Sequence, residues 1–208
     1  MDVAIERAVD AEQVRIWAGL QGFVSLAALI ALALFFLLAT PFSTPESRWS
    51  WLGPVNDWLA VIGAVPWIVA MVLLARYVAA GPWMWALTVV ACVGAAAIAI
   101  VTVCMLAGAA GLQSQAIVSV GATVVAFGWA AFAGGLARDA GLVPGWIATF
   151  AVAMVIALVA AGILGVVGFA AGAGSGVQAT LYVGAGVVGG LAWLAFPVWW
   201  LAVASTVR

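Results

Sequence analysis

Hydrophobic residues run along the chain in six long stretches, separated by short segments rich in polar and turn-forming residues. No charged residue lies between Tyr77 and Ala137, or between Ala140 and Val207. These charge-free runs are longer than the ~20 residues with which an α-helix spans a bilayer. The pattern predicts six membrane-spanning helices, near residues 20–40, 57–79, 83–110, 116–137, 144–171 and 178–204.

Turn-forming residues lie between the predicted spans. Pro41, Pro45 and Pro54 interrupt the first connection, and Gly81-Pro82 marks the second. Three further connections fall at residues 111–115, 138–144 and 172–176. Apart from a predicted cytosolic tail over residues 1–19, the chain therefore predicts one transmembrane domain over residues 20–208.

Composition supports the same fold class. The chain is 68% hydrophobic and 6% charged, whereas a soluble globular protein has about 25% charged residues. A membrane β-barrel would need strands that alternate polar and apolar residues, and the chain shows no such alternation. We therefore predict an all-α, polytopic membrane helical bundle that contacts the lipid bilayer.

The few charged residues limit the function and set the orientation. A net charge of −1 offers no basic surface for nucleic acid, and the chain has no histidine, so we expect no metal site and no cofactor. Loops on the cytoplasmic side are enriched in Lys and Arg. We therefore predict a protein of a bacterial inner membrane with both termini in the cytoplasm. In this orientation Arg48 alone lies outside, and the cytoplasmic segments hold Arg7, Arg15, Arg76, Arg138 and Arg208.

Tryptophan occurs twelve times, mostly at the ends of the predicted spans. Such rings favour the headgroup level of a bilayer. We predict interfacial anchors at Trp17, Trp49, Trp51, Trp58, Trp83, Trp85, Trp146, Trp199 and Trp200. Trp67, Trp129 and Trp193 fall nearer mid-span, where they either pack between helices or form the wall of a ligand cavity.

The segment Asn56-Asp57 precedes the second apolar run, where a side-chain oxygen can cap the free N–H groups of a first helical turn. Capping is the simplest interpretation. At 100° per residue, Asp57 also shares a face with Ala60 and Ala64, a small-residue strip that favours contact with another helix. Ionisable groups that face a membrane bundle are candidate functional residues, so Asp57 is a candidate binding residue.

Two other predicted spans carry a polar row that becomes small or aromatic further along the helix. Gln115, Ser119 and Thr123 recur every four residues in the fourth span. Gln178 and Tyr182 lead towards Trp193 in the sixth span. These rows predict either an outward-facing polar vestibule over an aromatic floor, or three tight helix interfaces joined by side-chain hydrogen bonds.

Three functional hypotheses follow. The first is a small transporter or channel-like protein that binds a neutral small molecule from the outer side, helped by kinks at Pro66 and Pro197. The second is a lipid or isoprenoid cyclase or isomerase, with Asp57 as the acid and the mid-span tryptophans stabilising positive charge. The third is a non-catalytic subunit or assembly factor, or a homo-oligomer, because Gly186 and Gly190 have the spacing of helix-packing motifs.

Two stretches carry a family resemblance. "GPVNDWLAVI", at the start of the second span, and "FPVWWLAVASTVR", at the end of the last, are similar to patterns in uncharacterised bacterial six-span membrane proteins. The resemblance implies the same architecture and brings no activity with it. Arg as the only cation, together with abundant Ala, Gly and Val, is typical of a bacterium with a GC-rich genome, such as an actinobacterium.

Overall fold

The computed structural model describes residues 2–39, 47–172 and 174–207, with side chains from Asp10 onward. These residues form six α-helices and no strand. The helices are α1 (Asp2–Leu34, continued by a π-helical stretch, Phe35–Ala39), α2 (Leu52–Tyr77), α3 (Pro82–Leu106), α4 (Leu112–Asp139), α5 (Gly145–Ala170) and α6 (Gly176–Thr206). The predicted all-α bundle is confirmed, while Pro41 and Pro45 of the first connection lie outside the described residues.

All six helices are long and apolar enough to cross a membrane. Large apolar side chains cover the outside of the bundle, among them Phe169, Val183 and Trp83, which is 90% exposed. Such a surface is stable in lipid and would be costly in water. The protein is a multi-pass membrane protein whose helices contact the bilayer.

The start of α2 corrects the capping interpretation of Asn56-Asp57. The helix begins at Leu52, its N-cap is Trp51, and no side chain caps it. Pro54 is the third residue of the helix, where its missing N–H costs nothing because the first turn has no partner for that group. Asn56 and Asp57 therefore lie in the second turn and cannot serve as the cap.

The helices form a closed ring. Each helix packs against the next one in the chain, and α6 packs against α1. Neighbouring helices are antiparallel, so one end of the bundle carries the start of α1, the end of α6, and the short connections at residues 78–81 and 140–144. We call this the terminal end and the opposite one the distal end.

Small residues allow the neighbouring helices to approach closely. A Cβ on Gly134 would stand 3.3 Å from the Cα of Ala148, where α4 meets α5, and a Cβ on Gly94 would stand 3.1 Å from the Cβ of Ala122, where α3 meets α4. Close backbone contact of this kind is what holds helices together in lipid, because the expulsion of water no longer drives their association.

Aromatic side chains fill the interior of the six-helix bundle towards the terminal end. The rings come from α2, α4 and α6 and contact one another in a continuous chain. We call this the aromatic cluster; it consists of Trp67, Phe127, Trp129, Trp193, Phe196, Trp199 and Trp200.

Two members of the aromatic cluster overturn a prediction. Trp199 and Trp200 are fully buried and are not interfacial anchors. Their rings contact at 4.9 Å between centroids, and the indole Nε1 of Trp199 donates to the carbonyl of Ile147 at 3.1 Å. The burial of both rings inside the bundle explains the difference, since a ring near the end of a span can point inward as well as outward.

Helix α1 runs without a break through the predicted tail and into the bilayer-spanning part. Val14 and Ala18 are buried in the bundle, and the Arg76 guanidinium lies 3.9 Å from the carboxylate of Asp10. The predicted boundary between a tail and a transmembrane domain at residue 19 therefore has no counterpart as a break in this helix.

Candidate functional site

A cavity of about 520 Å³ lies inside the ring of helices, on the distal side of the aromatic cluster. Helices α1, α2, α3, α4 and α6 contribute to its wall. Cavities of this size suit a drug-sized ligand. Most of the lining side chains are apolar, including Leu29, Leu32, Leu59, Ala60, Ile98 and Leu194.

Three rings of the aromatic cluster border the cavity: Trp67, Trp193 and Phe196. Trp67 and Phe196 meet edge to face, with centroids 5.3 Å apart. Phe196 also stacks on Phe127 at 5.1 Å, and that stack continues the cluster towards the terminal end. These three rings form an aromatic floor.

The polar part of the lining is uncharged. Among the described residues, the polar side chains of the wall are Gln21, Ser25, Asn56, Gln115 and Ser119. The amide nitrogen of Gln21 donates to the Ser25 hydroxyl at 2.9 Å, which fixes both side chains one turn apart on α1. The lining therefore offers hydrogen bonds without offering a counter-charge.

Three polar atoms of this lining are buried and have no hydrogen-bond partner among the described residues: Gln21 Oε1, Trp67 Nε1 and Ser119 Oγ. Gln21 is 2% exposed and Trp67 is 9% exposed. Two further buried atoms, Thr102 Oγ1 and Trp200 Nε1, are also without a partner, but their residues do not line the cavity. A buried polar atom without a partner costs ~1–3 kcal/mol, which a ligand with matching groups would recover.

Asp57 lies beside the cavity and not in its wall. Its carboxylate accepts a hydrogen bond from the Asn56 side-chain amide at 3.3 Å, and it is Asn56 that faces the cavity. Of the predicted strip that follows on the same face of α2, Ala60 is half-buried in the cavity wall and Ala64 is buried in the bundle. The contact of Asp57 with the cavity wall is its hydrogen bond with Asn56.

The polar row of α4 divides between the cavity and the helix packing. Gln115 and Ser119 line the cavity. Thr123 is buried one turn further along, and its hydroxyl donates to the carbonyl of Ser119 at 2.7 Å. Thr123 is thus satisfied within its own helix, whereas the Ser119 hydroxyl remains available to a ligand.

The outer part of the polar row of α6 serves a different purpose. The amide oxygen of Gln178 accepts from the backbone N–H of Gly174 at 2.9 Å, which holds the connection between α5 and α6. The ring of Tyr182 packs on Gly168 of α5 so tightly that a Cβ there would stand 3.0 Å from it. Neither Gln178 nor Tyr182 lines the cavity, whereas Trp193 at the end of this row does.

Trp129 belongs to the packing between helices. Its indole Nε1 donates to the Thr88 hydroxyl of α3 at 2.9 Å, and its ring stacks on Trp200 at 5.8 Å. The mid-span tryptophans therefore separate into one core residue, Trp129, and two that also form the floor of the cavity, Trp67 and Trp193.

The sequence interpretation missed Gln21 and Ser25, because it looked for polar rows only in the spans predicted to run inward. The signal was present, since the two residues are spaced by four in an otherwise apolar stretch, as in the row of α4. Phe196 was also missed, because no residue near it distinguishes an inward-facing from a lipid-facing ring.

The fold and the site together define a multi-pass α-helical membrane protein with a cavity inside a ring of six helices. Comparison with known proteins gave no match to a family model, to a curated protein or to a solved structure. Among the described residues, no three His, Cys, Asp or Glu side chains lie close enough together to hold a metal ion. The function must therefore be argued from the cavity itself.

Proposed function

We propose that the protein binds a small neutral molecule in the cavity and transports it as a carrier. The observation that supports this function is the combination of cavity size with three buried polar atoms of its lining, on Gln21, Trp67 and Ser119, that have no partner among the described residues. Pockets that bind small molecules are mostly apolar and contain a few polar groups that fix the orientation of the ligand.

The absence of charge from the described lining favours a neutral ligand. A charged molecule at membrane depth needs an opposite charge or a water-filled path, and the polar side chains here are amides and hydroxyls. An uncharged molecule avoids this desolvation cost and can still use the hydrogen-bonding groups of Gln21 and Ser119.

The aromatic cluster favours a carrier over an open channel. Its rings occupy the interior towards the terminal end, and Trp129, Trp199 and Trp200 are fully buried there. A solute in the cavity would need these rings to move before it could pass. Pro66 and Pro197 are buried in α2 and α6, where each removes one helical hydrogen bond and so lowers the cost of bending.

Catalysis of a cyclase or isomerase type has less support. That hypothesis needs an acid next to aromatic faces, but Asp57 lies outside the lining and Trp129 lies in the core. Among the described residues, the cavity wall has hydrogen-bonding groups but no acidic side chain. Ligand binding without catalysis therefore fits the cavity better.

We also propose that the protein lies in the inner membrane of a bacterium with both termini in the cytoplasm. The alternating helices bring Arg15, Arg76 and Arg138 to the terminal end, and Arg48 lies in the connection at the distal end. This distribution supports a cytoplasmic terminal end. The cavity, which lies on the distal side of the aromatic cluster, is then nearer the outer face of the membrane.

Cysteine accessibility tests the proposed binding site. The native Cys92 and Cys104 are replaced by alanine, and Ser119→Cys is compared with Val120→Cys, whose side chain is 60% exposed on the lipid-facing surface at the same depth. A small uncharged reagent, methyl methanethiosulfonate, in proteoliposomes should modify the thiol at position 119 much faster than the thiol at position 120, because a thiol reacts as the thiolate and only the first borders a cavity with polar side chains.

Ligand charge is tested by protection of the same thiol. Cyclohexanol, cyclohexylammonium and cyclohexanecarboxylate have similar size and differ in charge. Cyclohexanol should slow the modification at position 119 several-fold, and the two ions should not. Equal protection by all three compounds, or equal reactivity of the two cysteine variants, would contradict a neutral-ligand site at Ser119.

A further inference from the structure

The cavity wall includes exposed residues of both α1 and α6, which mark an opening between these helices. On α1 its wall includes Ala33 and Phe36, and on α6 it includes Gly190 and Leu194; all four residues are exposed on the outside of the bundle. Among the described residues, no atom outside α6 lies within 4 Å of the position that a Cβ on Gly190 would take. Because these residues are apolar and lie in the bilayer-spanning part, this opening faces lipid.

The glycines that contact both the first and the last helix lie towards the terminal end. There, Gly22 and Gly19 of α1 contact Leu201 and Ala204 of α6. Further along, the closest neighbours of the α6 glycines belong to α5, as for Gly184 and Gly189. Among the described residues, no distal glycine of α6 therefore has an atom of α1 within 4 Å of its Cβ position.

Gln21 Oε1 and Trp67 Nε1, two of the polar atoms without a partner among the described residues, lie at the same depth in the cavity. A Cβ on Gly63 would stand 4.0 Å from Gln21 Oε1, and Trp67 is one helical turn after Gly63 on the same face of α2. Side chains in a helix tilt towards its N-terminus, so the indole of Trp67 leans towards Gly63 and Gln21. Gln21 Oε1 is a hydrogen-bond acceptor, and Trp67 Nε1 is a donor.

A hydroxyl is the neutral group that matches this pair. It can donate its proton to Gln21 Oε1 and accept from Trp67 Nε1 at the same time, whereas a ketone could accept from Trp67 and would leave Gln21 Oε1 buried without a partner. The distance along α1 from Gln21 to Ala33, at the lateral opening, is about 18 Å at 1.5 Å per residue. A molecule that fills this path has a long apolar part.

We propose that the ligand is a membrane-dissolved long-chain alcohol, which enters the cavity laterally between α1 and α6 and places its hydroxyl between Gln21 and Trp67. This inference rests on the proposed function and specifies the chemical class and the route of its ligand. The apolar wall holds the chain, and the gap at Gly190 admits it directly from the bilayer.

Photolabelling in proteoliposomes tests the chemical class. The probes are a dodecanol carrying a diazirine in its chain, the matching 2-dodecanone and dodecane, and a short water-soluble diazirine diol; labelled residues are identified by mass spectrometry. The dodecanol should label lining residues such as Leu29, Leu59 and Ile98 about threefold to tenfold more than the ketone or the alkane, as one or two hydrogen bonds predict. Equal labelling by the alcohol and the ketone would overturn the assignment of the hydroxyl.

The same experiment separates this inference from the proposed function. If the short diol labels the lining and dodecanol does not, the cavity binds a neutral molecule, but the long-chain alcohol and its lateral route are wrong. If no probe labels the lining, the proposed binding function itself fails. Gln21→Leu should abolish the preference for alcohol over alkane, and an unchanged preference in that variant would place the hydroxyl elsewhere.

A matched pair of variants tests the lateral route. Gly186 and Gly190 are one turn apart on α6 and both are exposed. Among the described residues, no atom outside α6 lies within 4 Å of either Cβ position, but only Gly190 lines the cavity. Gly190→Phe should reduce dodecanol labelling of Leu59 at least fivefold, and Gly186→Phe should leave it unchanged. Equal labelling in the two variants would show that the ligand does not pass between α1 and α6.

Discussion

Gly22 of α1 approaches Leu201 of α6 so closely that a Cβ on the glycine would stand 2.6 Å from Leu201 Cγ and 3.1 Å from its backbone nitrogen. The contact joins the first helix to the last and closes the ring. It also lies on the terminal side of Gly190, where we propose the lateral opening.

Replacing Gly22 by alanine should destabilise the protein. The added methyl group overlaps Leu201, and overpacking of this kind costs ~1–3 kcal/mol. Gly19→Ala is the control, because a Cβ at Gly19 would stand 3.8 Å from the Cβ of Ala204, an ordinary contact. Thermal unfolding in detergent should show a lower midpoint for Gly22→Ala and an unchanged or higher midpoint for Gly19→Ala. Equal midpoints would mean that the approach of α1 to α6 is not tight.

We expect substitution by valine to have different effects on stability at Thr88 and at Thr102, both on α3. Both are buried, at 1% and 0% exposure. The Thr88 hydroxyl accepts from Trp129 Nε1, whereas the hydroxyl of Thr102 has no partner among the described residues. Thr88→Val would leave the indole N–H of Trp129 buried without an acceptor and should lower the free energy of unfolding by about 1 kcal/mol.

Thr102→Val removes a buried hydroxyl that has no hydrogen-bond partner in the described part of the chain, so it should be neutral or stabilising. Unfolding of the two variants in mixed detergent micelles measures both effects. Thr88→Ser should recover most of the loss, since it keeps the acceptor for Trp129. A larger loss for Thr102→Val than for Thr88→Val would mean that the two hydroxyls have been assigned the wrong roles.

The helices could be predicted from the sequence because each carries its own signal. A long apolar run with turn residues at its ends identifies a span without reference to the other spans, and all six were found in this way. The ends were less certain, as at α2, where Pro54 looked like part of a turn and lies instead inside the first helical turn.

The closure of the ring could not be predicted, because it depends on which helix faces which. Gly22 and Gly19 look alike in the sequence, and only the packing of α6 makes one of them intolerant of a side chain. The same limit applies to the site. Ser119 belonged to a visible polar row, whereas its association with Gln21 and Trp67 in one cavity requires three helices to be placed together.

Arg15 of α1 binds the backbone at the C-terminal end of α6. Its Nε and Nη2 donate to the carbonyl of Val207 at 2.9 and 2.6 Å. Arg15→Lys keeps the charge but loses the two-pronged geometry of the guanidinium. Because the side chain is partly exposed, we expect a modest loss of about 0.5–1 kcal/mol in the free energy of unfolding, together with faster removal of the last residues by a carboxypeptidase.

Arg138→Lys is the matched control for Arg15→Lys. The guanidinium of Arg138 donates to the adjacent Asp139 at 2.9 and 2.8 Å on the surface, so the substitution should change neither stability nor digestion. A similar effect of both substitutions would show that the contact between Arg15 and Val207 does not hold the C-terminal end of α6.

The proposed orientation predicts which connections can be labelled from outside the cell. In a variant with alanine at the native cysteines, a single cysteine replaces Ala109 in the connection at the distal end, or Gly81 or Ala140 in connections at the terminal end; all three positions are exposed. An impermeant maleimide should label the cysteine at 109 in intact bacterial cells and the other two only after permeabilisation, because the arginines at the terminal end favour the cytoplasm. The reverse pattern would retain the six spans and invert the orientation, and different labelling of positions 81 and 140 would contradict the six-span arrangement.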